Sequence, residues 1–302
     1  MTSANTDTTG AARVAVIGGG AIGGLLAAAA EEAGHEVTLC VRTAIPQLVV
    51  ERNGTARRVP VRIAEQAAGL SAADWLLLAT KAQDTAAAAP WLHQLVGPAT
   101  RVVVLQNGIE HEARVRPLVG TAPVVPALVY AGAERIAPGH IVYHQGNRVV
   151  VPQGRDGEAF AALLAGSWLT IVQAADFTTA AWRKLMSNIT ANPLTALTLR
   201  RMTVFRRPAM DELARGLLSE AAAVGRAAGA DVSLQDADAI LRSYAAHAED
   251  AGTSMLYDRL AGRPLEHDYL TGAVVREADR LGIPVPLNRA ILALLEAIDD
   301  GH

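Results

Sequence analysis

The stretch RVAVIGGGAIGGLLAAAAEEAGHEVTLCVR, residues 13–42, opens on a short β-branched run and breaks at once into glycine. Residues 14–17 read as a buried strand, the alanine-rich segment up to Gly34 as a helix, and 36–41 as a second strand. Gly18, Gly20 and Gly23 fit G-x-G-x-x-G, and the strand–turn–helix–strand setting is what makes so short a pattern informative. The first glycine allows a tight turn, the second lets the backbone approach a pyrophosphate, and the third lets helix and strand pack closely. The helix N-terminus then faces the anion, with Gly18, Gly19, Gly20, Ala21, Ile22 and Gly23 as the expected cradle. A Rossmann-type dinucleotide site is expected.

The end of the second strand selects the dinucleotide. An NAD site places Asp or Glu about 20 residues after the first glycine, to accept from the ribose 2′-hydroxyl. This chain offers Cys40, Val41, Arg42 and Thr43, with no acid. Arg42 suits a 2′-phosphate through charge-assisted hydrogen bonds, so NADP (NADPH) is expected; a solvated loop arginine is the plainer alternative.

Two more strands are read in ADWLLLATKAQDT, ending at Thr80-Lys81, and TRVVVLQNGIE, ending at Gln106-Asn107-Gly108. Ligands of open α/β sheets lie at the carboxyl ends of the strands, which puts Lys81 and Asn107 where a cofactor or substrate is met. Residues 124–151 are β-rich, with turns at Pro138-Gly139 and Gly146-Asn147, and are expected to extend the sheet with antiparallel strands. After about Ala174 the strand signals stop. Helices are expected over 178–199, 208–228, 235–250, 267–281 and 286–299.

The fold class is therefore α/β: a Rossmann-type domain followed by an all-α domain, with a cleft between them as the expected active site. The expected boundaries are a loose tail at 1–12, an NADP-binding domain at 13–174 and a helical substrate and catalytic domain at 175–302.

Composition narrows the function classes. The chain has 302 residues, is 51% apolar and only 4% aromatic, and carries a formal charge of −3, so a compact core is expected and a nucleic-acid surface is not. A lone cysteine, Cys40, excludes an intrachain disulfide, and the His residues lack ligand-like pairing, so no metal site is expected. The polar start lacks a signal-peptide pattern and no apolar run approaches the roughly 20 residues of a membrane span. A cytoplasmic protein with a small-molecule partner, and neither nucleic acid nor membrane, is expected. Oligomeric state is open, a homodimer being one possibility.

Within AWRKLMSNITANPLTAL, residues 181–197, Lys184, Asn188 and Asn192 recur every four residues and so share one helix face. Asn is a poor helix former, and a solvated stripe is the bland reading of this pattern. The segment WRKLMSNITANPLTAL resembles the signature of the ketopantoate reductases (2-dehydropantoate 2-reductases), whose second domain opens with K-x-x-x-N-x-x-x-N-P-L-T-A. QNG at 106–108, TSML at 253–256, and GRPLEHDYL with Glu266 twelve residues beyond Ser254 agree with it, in the family's order.

The resemblance implies reduction of ketopantoate by NADPH, with Lys184 as the catalytic acid and Glu266 orienting the catalytic centre. It implies substrate contacts from Asn107, Asn188, Asn192 and Ser254. Cofactor contacts fall to the glycine loop, Arg42, Lys81, Asn107 and Glu266. Glu266 is expected near the start of its helix, where it pairs with Lys184. The chain departs from the common pattern at Leu199–Met202, where some members carry another Asn, and at Tyr257, His267 and Thr271. These departures leave a paralogous reductase of another branched 2-oxo acid, or a non-catalytic NADP-binding sensor, as alternatives.

Overall fold

The computed structural model describes residues 10–245, 249 and 251–299. The expected tail lies outside the described residues up to residue 9, as does most of the 246–250 end of the third expected helix. The chain forms two compact units: residues up to Gln106 with His111–Ala175, and Asn107–Glu110 with the residues from Asp176 onward.

In the first unit the order is β1 (Arg13–Ile17), α1 (Ala21–Glu32), β2 (Glu36–Cys40), β3 (Leu48–Arg52), β4 (Thr55–Val59), β5 (Arg62–Ala64) and β6 (Trp75–Leu78). There follow α2 (Ala89–Leu95), β7 (Arg101–Val104), α3 (His111–Val119), β8 (Val124–Pro126), β9 (Leu128–Ala137), β10 (His140–Pro152), α4 (Arg155–Leu163) and β11 (Thr170–Ala174). Among the described residues, six strands form a sheet in the order β5-β2-β1-β6-β7-β8, and every pairing in it is parallel. A parallel sheet needs cover on both faces, and strand alternation supplies it. Val14, Val16, Leu39, Leu77 and Val103 face one core with α1, while Ala15, Ile17, Leu76, Leu78, Val102 and Val104 face another with α2 and α3.

Of the strands in 124–151 only β8 extends this sheet, and it does so in parallel rather than antiparallel as expected. The long hairpin of β9 and β10 belongs to a second sheet, ordered β11-β10-β3-β4 with β9 also on β10. The reason is that β9 takes one edge of β10 along nearly its whole length, leaving the other edge to β3 at 140–142 and to β11 at 148–152. Helix α1 packs between the two sheets, touching β1 and β2 on one side and β3, β9 and β10 on the other. That position explains its composition: Ala27 to Ala30 are all buried, and a Cβ on Gly24 would stand 2.6 Å from the Ile141 side chain.

The second unit is helical: α5 (Phe177–Thr198), α6 (Pro208–Ala227), α7 (Leu234–Ala245), α8 (Ser254–Leu260), α9 (Thr271–Leu281) and α10 (Pro286–Asp299). Trp182, Leu185, Met186 and Ile189 of α5 join Leu217, Leu218, Val274 and Leu295 in one core. Asp176 starts α5, its carboxylate accepting from the Thr179 N–H at 2.9 Å and the Thr179 hydroxyl at 2.6 Å. At the other end Arg259 of α8 donates to the carbonyls of Ala196 and of Leu197, the latter at 3.1 Å. One expectation fails here. Helix α9 begins at Thr271, four residues after the expected start at 267, and Glu266 lies in the irregular segment before the turn that precedes it.

Candidate active site

The glycine loop has the shape its sequence requires. Gly18 has φ +116°, and a Cβ there would stand 2.9 Å from the Ala79 carbonyl carbon and oxygen at the end of β6. A Cβ on Gly23 would lie 1.8 Å from the Gly18 carbonyl oxygen, so the first turn of α1 can sit this close only with glycine. At Gly20 a Cβ would meet nothing within 4 Å. Gly20 is also the N-cap of α1 and gives no side-chain cap to its first-turn N–H groups. Open space before an uncapped helix N-terminus fits a pyrophosphate. Gly19 touches the end of β2, where its Cβ would be 2.7 Å from Val41; Ala21 and Ile22 are half-buried in the first turn.

Arg42 is exposed beyond β2, and its guanidinium lies 3.7 Å from the Asp84 carboxylate. The expectation that no acid stands near Arg42 is therefore corrected: none follows in sequence, but the turn after β6 delivers one. Lys81 is half-buried at the start of that same turn, which spans Ala82–Asp84. Gln106, which the sequence reading did not single out, is buried and donates to the Thr80 hydroxyl at 2.9 Å and the Lys81 carbonyl at 3.1 Å. It ties the ends of β6 and β7 together. Cys40 is buried and its thiol is pushed up to about 12 by burial, so it stays protonated and unreactive.

In the helical unit a second polar cluster forms. Lys184 is half-buried on α5, and loss of water around its amine lowers its pKa to about 8, against the opposing charge of Glu266. Glu266 is only 3% exposed and accepts from the Asn107 side-chain amide at 3.3 Å. The segment that carries it is fastened from α10, where Asp299 accepts from the Leu265 N–H at 3.1 Å and approaches His267 at 3.5 Å. Two helical turns along from Lys184, Asn192 is buried and accepts from the Ser254 hydroxyl at 3.4 Å. The Thr195 and Thr253 hydroxyls, 2.7 Å apart, hold α8 against α5 beside that contact. Asn188 is half-buried between Lys184 and Asn192 on the same face. The structure thus groups Lys184, Glu266 and Asn107 at one end of a polar stripe and Asn192 with Ser254 at the other.

Residues 14–156 match the family model described as ketopantoate reductase PanE/ApbA, and residues 176–299 match its C-terminal partner model. The chain belongs to the ketopantoate reductase family. It is 41% identical to the 2-dehydropantoate 2-reductase of Caulobacter vibrioides, over 94% of this chain and 98% of that one. It is 39% identical to the enzyme of that name from Mycobacterium tuberculosis, over 95% and 98% of the two chains. A solved dimeric ketopantoate reductase from Staphylococcus aureus superposes with a TM-score of 0.87, at 25% identity, covering 96% of this chain and 99% of that one. As a member of the ketopantoate reductase family the chain is an oxidoreductase, and no helix among its described residues is long and apolar enough to cross a membrane.

For this ketopantoate reductase relative, the sequence reading missed Asp84, Gln106 and Asp299. Asp84 lies three residues after Lys81 in the same turn, but nothing in the sequence says that this turn meets Arg42. Asp299 had no signal either, because nothing in the sequence says that the last turn of α10 returns to the segment holding Glu266.

Proposed function

We propose that the chain catalyses the NADPH-dependent reduction of 2-dehydropantoate (ketopantoate) to pantoate, a cytoplasmic step of pantothenate biosynthesis. The names of its relatives and the family match support the reaction. The observation that carries the reading is the Lys184 amine, held at about 8 beside the buried Glu266 on the helix that also bears Asn188 and Asn192. A lysine tuned to this range is protonated at neutral pH yet gives its proton up readily, which is what a general acid needs.

When bound, the nicotinamide supplies a hydride to the C2 ketone. Negative charge then builds on the carbonyl oxygen, which the Lys184 ammonium stabilises and protonates, leaving a hydroxyl and a neutral amine. Glu266 keeps the ammonium charged and, through Asn107, in place. Asn188 and Asn192 offer uncharged donors and acceptors to the substrate's hydroxyl and carbonyl, and Ser254 offers its hydroxyl to the carboxylate. In this reading residues 13–174 hold the cofactor, with Gly18, Gly19, Gly20, Ala21, Ile22 and Gly23 on the pyrophosphate and Arg42 and Lys81 on the phosphate-bearing ribose. Residues 175–302 hold the substrate, and Asn107 and Glu266 serve both ligands. The chain works as a homodimer, a reading supported by the dimeric Staphylococcus aureus enzyme.

The test is a panel of 2-oxo acids assayed with NADPH and NADH by absorbance. A site that bonds the terminal hydroxyl of ketopantoate rejects analogues lacking it by up to about 10⁴–10⁵-fold. Higher kcat/KM for ketopantoate than for 2-oxoisovalerate is expected. A preference for the hydroxyl-free acid would make the protein a reductase of another branched 2-oxo acid. No NADPH oxidation with any 2-oxo acid would leave a non-catalytic NADP-binding protein.

A further inference from the structure

Asn107 and Glu266 meet at 3.3 Å, yet both lie on segments without regular structure: 105–110 and 263–270 are loops and turns. Besides Asp299, a second brace comes from Arg276 on α9. Its guanidinium grips Glu110 with both arms, Nε to Oε1 at 3.1 Å and Nη2 to Oε2 at 2.8 Å. It also donates to the Asp268 carboxylate at 2.5 Å and to the Asp268 carbonyl at 3.0 Å. Glu110 stands three residues after Asn107, and Asp268 two after Glu266. One planar cation therefore clamps both loops, and Arg is the residue whose fork allows this.

Two more observations agree. The segment Asn107–Glu110 groups with the helical unit although the chain on both sides of it belongs to the other. Gly272 makes room for the clamp, since a Cβ there would stand 2.7 Å from Asp268 Oδ1 and 3.2 Å from Arg276 Nη1. The helix behind Arg276 is a firm base, with Thr271 to Val275 all buried.

Resting on the reading of Lys184, Glu266 and Asn107 as the reacting machinery, we infer that Arg276 is a positioning residue for the reduction: by pinning Glu110 and Asp268 it holds Asn107 and Glu266 in the arrangement that Lys184 needs.

The experiment compares full-length Arg276→Met, Arg276→Lys and Glu110→Gln with wild type, measuring kcat, KM, the pH profile of kcat and thermal stability with NADPH and ketopantoate. Small misplacements remote from the chemistry cost up to about 10²-fold in rate. A loss of that order in kcat is expected for Arg276→Met, with a smaller change in KM and partial recovery in Arg276→Lys. Glu266 is the charged group that acts on Lys184 among the described residues, so its displacement also moves the alkaline limb of the kcat profile to lower pH. Combined with Glu266→Gln, Arg276→Met should cost almost nothing further, because it acts through Glu266 and its neighbour. The control is Arg280→Met, which breaks only the Glu277 pair on the same helix and should leave rate and profile unchanged.

A folded Arg276→Met enzyme with wild-type kcat and profile overturns the inference, as does a fully additive double variant. Should Arg276→Met not fold, Glu110→Gln gives the same readout. If Lys184→Ala is inactive while Arg276→Met is normal, the positioning role alone falls. If Lys184→Ala is fully active, the site reading and the positioning role fall together.

Discussion

On the proposed reading Lys184 sets the pH behaviour. Burial lowers its pKa to about 8 while Glu266 pulls the other way. The acid must carry its proton to act, so kcat for reduction should be flat below neutral pH and fall as pH rises through about 8. Glu266→Gln removes the charge that favours the ammonium, and the limb should move to lower pH; a limb moving upward would contradict the pairing. Arg42 raises a different balance. Its contact with Asp84 is between exposed groups 3.7 Å apart, and exposed pairs of this kind contribute about 0–1 kcal/mol. A charge-assisted fork on a phosphate is stronger, so on the proposed reading a 2′-phosphate is expected to displace Asp84. Arg42→Asp is expected to weaken NADPH binding far more than NADH, and Asp84→Asn to strengthen NADPH alone; titration calorimetry with both cofactors checks this. The polar stripe of Lys184, Asn188 and Asn192 was readable from its four-residue spacing. Asp84 was not, because its relation to Arg42 exists only once β1, β2 and β6 lie side by side.

At the scale of elements, helix α5 carries most of the candidate site and is held at both ends by side chains. Asp176 caps its start, and Arg259 covers carbonyls at its close, where no Lys, Arg or His of α5 itself stands. Arg259→Ala leaves those carbonyls facing a half-buried space and should cost about 1–2 kcal/mol in denaturant unfolding. It should also loosen α8, and with it Ser254 against Asn192. No change in stability would mean that water replaces the guanidinium at no cost. The span of α5 was legible within a residue at each end because its apolar face and the polar residue before it are both strong signals. The start of α9 was not. The polar run through His267 and Asp268 looks like a helical first turn, but the contacts of Asp299 and Arg276 hold it as a turn, with Glu266 buried. Tertiary contacts overrode local pattern there.

On the scale of the whole molecule, the four central strands of the parallel sheet were legible as short apolar runs, while β5, only three residues long, was not. The second sheet was not, although one signal was present. LVVERNGTARRV, residues 48–59, is a hairpin with Asn53-Gly54 at its turn, both at positive φ, as a tight two-residue connection requires. That sheet explains the alanine run of α1, which must fit between two layers rather than against one. The helical unit then presents a lysine with its pKa lowered, a buried acid beside it and two asparagines on one face, and that grouping is the centre of the functional reading. The measurement that bears on it most directly is steady-state reduction of ketopantoate by wild type and by Lys184→Ala, with circular dichroism and NADPH binding recorded on the same samples. Loss of a general acid predicts kcat lower by roughly 10²–10⁴-fold with fold and NADPH affinity retained. Wild-type turnover in a folded, NADPH-binding Lys184→Ala enzyme would contradict it.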